Sequence, residues 1–186
     1  MDERKRLPES GLWDREVYEW LQCVVAALVV CLLAFSFFCR VVNVTGNSMV
    51  PTLKDRELVL ISRMEESYDA GEIVVLRKES FKAEPIVKRV IATAGQTVEL
   101  DTENGIVYVN GEALDEPYIN ELTYRGIDYE KPVTVPFGCV YVLGDNRNNS
   151  VDSRSDLIGC VDTRCILGRV VFRLWPLSRI GAFTGA

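Results

Sequence analysis

The sequence predicts a mostly β domain carried behind a single N-terminal membrane-spanning helix. Two observations lead to this fold class. Residues 20–39 contain no charged side chain, and a helix needs about 20 apolar residues to cross a bilayer. After Arg40 the apolar residues occur in short, β-branched runs separated by Gly, Pro and Asn, a pattern typical of strands. A chain of 186 residues accommodates one such domain and its anchor.

The N-terminal part predicts both the anchor and its orientation. Residues 1–19 are polar, with a basic cluster at 4–6, and basic residues beside a span favour the cytoplasmic side. A removable signal peptide has a shorter apolar core, about 7–15 residues, and a small-residue cleavage site, which 35–40 does not supply. We therefore expect a retained single-pass anchor over 20–39 in the plasma membrane, with 41–186 outside the cytoplasm. A buried core helix is the alternative.

Composition limits the partners. The net charge of −6 and the lack of a basic face give no sign of nucleic-acid binding. The sequence has no Cys-x-x-Cys pair and no His/Cys cluster, so neither a metal nor another cofactor is expected. Cys160 and Cys165 could form a disulfide outside the cytoplasm, or they could stay reduced together with Cys139. The oligomeric state leaves no signal in the sequence.

The strands are predicted in order along the chain. Short apolar runs bounded by turn formers indicate strands, and the two Asn-Gly pairs at 104–105 and 110–111 indicate tight hairpin turns. We interpret 97–137 as a β-rich insertion, within which the polar run 116–131 is expected to be an exposed loop without chemistry. The main strands are predicted at 41–44, 57–61, 71–76, 85–92, 98–100, 106–109, 137–143 and 169–176.

Ser48 is the first candidate for catalysis. It lies in the segment Gly46-Asn47-Ser48-Met49-Val50-Pro51-Thr52-Leu53, where a preceding Gly and a following Pro predict a sharp, stiff turn. A serine hydroxyl needs a base, and the usual base is histidine. Because the chain contains no histidine, a Ser-His-Asp triad is excluded, and a lysine of lowered pKa is the remaining common partner. A plain surface turn is the alternative.

Lys88 is the lysine that fits this requirement. Alternation along the strand 85–92 places Lys88 on one face with Ile86, Val90 and Ala92, and that face is otherwise apolar. Burial among apolar residues disfavours the ammonium form, so such a lysine can accept a proton near neutral pH. The alternative is a lysine that extends its amine into solvent from a strand edge.

A polar loop follows the predicted strand at 137–143. Residues 144–154 are rich in Asp, Asn and Ser, and Asp152 with Arg154 can form an ion pair. The loop is either an Asx-rich turn that holds itself together or a support that fixes the base.

Together these segments resemble the single-anchor type I signal peptidases, the bacterial leader peptidases. Three blocks carry the resemblance in the family's order: Gly46 to Leu53, Lys88-Arg89-Val90-Ile91, and Gly144-Asp145-Asn146 to Arg154. The resemblance implies coiled antiparallel β-sheets and a Ser-Lys dyad that removes signal peptides from preproteins.

The resemblance also implies roles for individual residues. Ser48 matches the nucleophile, Lys88 the general base and Ser150 a serine that hydrogen-bonds this base. An oxyanion hole would use the Ser48 N–H, without a side-chain donor at Gly46. The ion-pair residues of the loop after Gly144 match Asp145, Asp152 and Arg154. The pockets for small residues one and three before the cut match Val44, Met49, Leu53 and Val87.

Two rival interpretations remain open, and one of them rests on a departure from the family. After Ile91 the family usually continues Gly-x-Pro-Gly-Asp, whereas this chain reads Ala92-Thr93-Ala94-Gly95-Gln96. The altered turn favours a membrane-tethered β domain that binds partners without activity. The other rival is a self-cleaving repressor with a Ser-Lys dyad, which the span at 20–39 argues against.

Overall fold

The computed structural model describes residues 10–65, 67–126 and 131–183. The basic cluster at 4–6, on which the expected orientation depends, lies outside these residues. The chain divides into two compact units, Met1–Phe38 and Cys39–Ala186, and each is described by itself.

The first unit contains one long helix, α1 (Ser10–Phe38). Within its segment Arg15–Phe38, a window of 18 residues has a mean hydropathy of 2.6, and the segment is long and apolar enough to cross a membrane. The helix begins ten residues before the predicted span, since residues 10–19 contain no proline to stop it. It ends at Phe38, one residue early, because Cys39 already pairs with Ser62 in the first strand.

The second unit is built from antiparallel strands, as predicted from the β-branched runs. All strand pairs of the described residues are antiparallel, and most predicted strands are present with ends shifted by one to three residues. Four short strands were not predicted. In chain order the strands are β1 (Cys39–Asn43), β2 (Leu58–Ser62), β3 (Ile73–Lys78), β4 (Lys82–Thr93), β5 (Thr97–Asp101), β6 (Ile106–Val109), β7 (Glu112–Ala113), β8 (Val133–Thr134), β9 (Cys139–Leu143), β10 (Val161–Asp162), β11 (Ile166–Trp175) and β12 (Gly181–Ala182).

The strands form one large and one small sheet. The large sheet has the order β1-β2-β11-β3-β4-β9-β10, with β12 also paired to β11. The small sheet has the order β7-β6-β5-β8. Ile91 and Tyr141 of the large sheet pack in one buried cluster with Val98 and Val107 of the small sheet. The region predicted as an insertion therefore shares its core with the rest of the second unit.

Strand β4 contains a bulge that changes which face its last residues occupy. The register to β9 shifts between Val90 and Ala92, so Ile91 and Ala92 both pack in the cluster between the sheets. The alternation that predicted Ala92 on the face of Val90 is wrong beyond this point, because a bulge inserts one residue into the pleat. Before the bulge the prediction is confirmed: Ile86 and Val90 pack together, and Lys88 lies opposite buried Val74.

The turn that departs from the family pattern is well formed. Gly95 has a φ of +85°, a left-handed conformation that glycine adopts readily, and the Gln96 N–H donates to the Thr93 carbonyl at 3.1 Å. The Gln96 side chain accepts hydrogen bonds from Thr93 N–H at 2.7 Å and from its hydroxyl at 3.1 Å. These bonds join β4 to β5 without the family's Pro and Asp.

The cysteines of the second unit are unpaired. Cys139, Cys160 and Cys165 are all free and partly buried. The alternative of a Cys160–Cys165 disulfide is therefore absent from this structure.

Candidate active site

The turn that carries Ser48 is held at both ends. Gly46 has a φ of +91°, which favours glycine, and its N–H donates to the Asp55 carboxylate at 2.8 Å. On the other side, Asn146 N–H donates to the Ser48 carbonyl at 2.9 Å. The Asn146 side-chain amide donates to the Asn47 carbonyl at 3.0 Å. The position of Ser48 is thus fixed by a residue almost one hundred positions later in the chain.

Lys88 reaches Ser48 from strand β4. Its Nζ donates a hydrogen bond to Ser48 Oγ at 2.8 Å. The Lys88 residue is 3% exposed, whereas Ser48 is partly exposed. The two predicted catalytic side chains are therefore in direct contact, with the amine on the buried side of the hydroxyl.

Burial lowers the pKa of Lys88 to about 8. Desolvation is the largest cause, since it disfavours the charged ammonium. Of the charges nearby, Asp152 and Asp145 raise the pKa and Arg154 lowers it. Asp145 and Asp152 are both bonded to arginines. A neutral amine is therefore accessible close to physiological pH.

Gly144 lies against both the Ser48 backbone and the Ser150 side chain. A Cβ at Gly144 would be 2.3 Å from Ser150 Oγ and 2.5 Å from the Ser48 carbonyl oxygen. Ser150 Oγ is buried and has no hydrogen-bond partner. The hydrogen bond from Ser150 to Lys88 that the resemblance implies is therefore not formed in this structure. The resemblance predicts which residue has this role but does not fix its rotamer.

Two buried ion pairs surround the Lys88 strand. Asp145 accepts two hydrogen bonds from the Arg89 guanidinium, at 2.9 and 2.7 Å. Asp152 accepts from Arg154 at 2.8 and 2.9 Å, and it also accepts from the Gly144 N–H at 3.0 Å. The acidic residues expected to form ion pairs thus do so. The partner of Asp145 is Arg89, which the sequence analysis quoted without a role.

Two residues of the polar run at 116–131 take part in this network, contrary to the expectation that the run has no chemistry; its residues 127–130 lie outside the described ones. Glu116 forms an ion pair with Arg147 at the buried side of the loop. The Arg147 Nε donates to the Gly144 carbonyl at 3.1 Å. Tyr118 lies with its ring 3.9 Å from the Arg89 guanidinium. The sequence alone predicts that a polar run is exposed, because it does not show the partners of the polar side chains. Here those partners are distant in the sequence.

The sequence matches the family described as signal peptidase, peptidase S26, over residues 17–175. This chain belongs to that family.

Two bacterial signal peptidases match most of this chain, and a solved structure of another matches about half of it. The chain is 36% identical over 177 residues to the signal peptidase I S of Bacillus subtilis, covering 89% of this chain and 93% of the relative. It is 35% identical over 182 residues to a signal peptidase IB of Staphylococcus aureus, covering 88% and 92%. A crystal structure of a signal peptidase I from Enterococcus faecalis is 28% identical, covers 56% of this chain and 97% of that one, and superposes with a TM-score of 0.47.

The four predicted pocket residues of this signal peptidase lie in one apolar cluster. Val44, Met49, Leu53 and Val87 are all buried and pack together with residues of strands β2, β3 and β11. Met49 and Leu53 come from the turn that carries Ser48, while Val87 precedes Lys88 on β4. The apolar cluster therefore adjoins both members of the Ser48–Lys88 pair.

We expect Gly144→Ala to lower the free energy of unfolding by about 1–3 kcal/mol, the usual cost of inserting a methyl group into a packed site. The added Cβ would meet the Ser48 carbonyl, which Asn146 holds. Denaturant unfolding of the full chain in detergent measures this change. Gly181→Ala is the matched control, since its Cβ meets no atom within 4 Å. Equal stability of the two variants would contradict the expectation.

Proposed function

We propose that this signal peptidase is a membrane-anchored serine endopeptidase that removes signal peptides from exported preproteins with Ser48 and Lys88. The observation that carries the proposal is the 2.8 Å hydrogen bond between the buried Lys88 amine and the Ser48 hydroxyl. It occurs in a chain without histidine that belongs to a peptidase family. The proposed reaction needs no metal or other cofactor.

Acylation begins with a proton transfer between these two atoms, once the deprotonated amine accepts a hydrogen bond from the hydroxyl instead of donating one. The neutral Lys88 amine takes the Ser48 hydroxyl proton as Oγ attacks the carbonyl carbon of the scissile peptide bond. The tetrahedral intermediate then breaks its C–N bond, and Lys88 returns the proton to the leaving amine. The product is an ester between the signal peptide and Ser48, the acyl-enzyme.

The Ser48 N–H is the proposed donor to the developing oxyanion. Preorganised donors of this kind supply a large part of acyl-transfer catalysis. The neighbouring Gly46 N–H is already bonded to Asp55, and Gly46 has no side-chain donor. The hole of this enzyme therefore depends on backbone, held in place by the bond from Asn146 to the Ser48 carbonyl.

Deacylation uses the same base. Lys88 removes a proton from a water molecule, which attacks the ester carbonyl, and the proton then passes to Ser48 Oγ as the signal peptide leaves. The ion pairs Arg89–Asp145 and Asp152–Arg154 hold the base in place. They leave the Lys88 amine available to accept a proton, since each carboxylate is bonded to its own guanidinium.

The substrate is proposed to be an extended peptide with small residues one and three positions before the cut. Val44, Met49, Leu53 and Val87 pack in one apolar cluster, and we propose that they bound shallow pockets beside Ser48 that accept alanine and exclude larger side chains. A preprotein held in the bilayer by its own apolar segment would meet an anchored enzyme at high effective concentration.

Ser48→Ala and Lys88→Ala should each reduce cleavage of a preprotein by at least about 10²-fold, because each removes one partner of the proton transfer. The measurement is cleavage by purified full-length protein in detergent. Lys82→Ala, at an exposed lysine of the same strand, is the control and should keep full activity. Full activity of Lys88→Ala would remove the mechanism, and a wild-type protein unable to cleave would favour the inactive binding domain.

The pH dependence of cleavage should report Lys88. Because the neutral amine is the active form and its pKa is about 8, kcat/KM should fall about tenfold per pH unit below pH 8 and level off above it. A rate profile from about pH 6 to 10 measures this, with thermal unfolding across the same range as the control. A midpoint near the ordinary lysine value above 10 would contradict a desolvated base.

We further propose that 1–19 faces the cytoplasm, α1 crosses the plasma membrane and 41–186 lies outside. The basic cluster at 4–6 supports this orientation. In sealed right-side-out vesicles, added protease should digest 41–186 and spare a short N-terminal fragment. A cytoplasmic protein in the same vesicles controls for leakage. Digestion of 41–186 only in inverted vesicles would reverse the orientation.

A further inference from the structure

A charged cluster, formed by the buried Glu57 and Arg173 and the partly exposed Arg179, lies at the end of the Ser48 turn opposite the contact with Asn146. Glu57 immediately precedes β2, Arg173 belongs to β11, and Arg179 ends the 3-10 turn Leu177–Arg179. We call these three side chains the Glu57 cluster. None of them belongs to the three sequence blocks that carry the proposed chemistry.

The members of the Glu57 cluster are paired to one another. Arg179 donates to Glu57 Oε1 at 2.7 Å, and Arg173 Nε lies 3.0 Å from Glu57 Oε2 as an ion pair. Glu57 is 3% exposed and Arg173 is 8% exposed. The cluster contains one carboxylate and two guanidiniums, so it carries one excess positive charge. The N–H groups that Glu57 does not bond need other hydrogen-bond acceptors where they are buried.

The acceptors are backbone carbonyls of the Ser48 turn. Arg173 donates to the Thr52 carbonyl, and Arg179 donates to the Pro51 and Thr52 carbonyls at 3.2 and 3.4 Å. Hydrogen bonds from a charged donor are roughly twice as strong as neutral ones. The Glu57 cluster therefore holds two consecutive peptide groups at the end of the turn.

The turn itself connects the Pro51 and Thr52 carbonyls to Ser48. Leu53 N–H donates to the Met49 carbonyl at 2.8 Å, which ties the anchored end of the turn to the residue after Ser48. Met49 and Leu53 are fully buried in the apolar cluster. The turn is thus fixed by apolar packing on one side and by guanidiniums on the other, and it has little freedom to shift as a unit.

We propose that the Glu57 cluster is a positioning element that sets the distance from Ser48 Oγ to Lys88 Nζ. The inference rests on the proposed function of the Ser48–Lys88 pair. A misplacement of about 1 Å in a reacting group can cost about 10²-fold in rate, so small movements of the turn should lower kcat. The cluster touches neither reacting side chain, so substrate binding and the pKa of the base should change little.

Arg179 is the member best suited to a test, because its side chain is one-third exposed and its loss should leave the protein folded. In full-length protein in detergent, Arg179→Ala should lower kcat for preprotein cleavage about tenfold, because the reacting groups are then misplaced. KM should stay within about twofold of wild type, and the pH midpoint of the rate profile should stay within about 0.3 pH unit. Arg179→Lys keeps the charge but not the forked donor, so it should recover part of kcat.

The matched control is Arg164→Ala. Arg164 also lies in a short 3-10 turn and pairs with a carboxylate, that of Asp162, but it does not contact the Ser48 turn. It should keep wild-type kcat.

Three outcomes would overturn the proposal. Arg179→Ala with wild-type kcat per folded molecule and only a lowered melting temperature would make the cluster merely structural. A raised KM with unchanged kcat would make it part of substrate binding. Wild-type protein that fails to cleave, or Ser48→Ala that still cleaves, would instead overturn the proposed function and the positioning role with it.

Discussion

The contact between the Lys88 amine and the Ser48 hydroxyl depends on keeping a lysine out of water. A buried ammonium is costly, and the protein lowers that cost by lowering the pKa of Lys88 to about 8 rather than by giving the amine a carboxylate. The neighbouring acids are bonded to arginines of their own, Asp145 to Arg89 and Asp152 to Arg154. Acidic and basic side chains are therefore both present near Lys88, and desolvation has the largest effect on its pKa.

The turn that carries Ser48 is the second requirement, and several distant parts of the chain supply it. Asp55 bonds to its first residue, Asn146 to the Ser48 carbonyl, and the arginines of the Glu57 cluster to the Pro51 and Thr52 carbonyls. Strand β11 and the residues after it reach the turn from the C-terminal end of the chain. The polar run that begins at Glu116 contacts the loop after Gly144 through the Glu116–Arg147 ion pair, and it contacts Arg89 of β4 through the Tyr118 ring. The site is thus maintained by most of the second unit, not by three sequence blocks alone.

The departures from the usual family pattern have structural explanations. Gln96 and Gly95 form a closed turn between β4 and β5, so this region offers no sign of a damaged fold. Gly46 lacks a side-chain donor, and its φ of +91° is one that a residue with a side chain rarely adopts. In this chain, the conformation of the turn at position 46 favours glycine, and glycine brings no side-chain donor.

The sequence by itself determined the apolar span, the mostly β fold, the Ser48 and Lys88 pair and the acidic loop after Gly144. These follow from local patterns: run length, alternation with period two, and the absence of histidine. Only the tertiary structure decided that Ser150 is unpaired, that a bulge turns Ala92 inward, and that Glu116, Tyr118, Arg173 and Arg179 support the site. The reason is physical. A charged residue in a sequence carries no record of its partner, and only the folded chain brings side chains separated by more than thirty or a hundred residues to within 3 Å of one another.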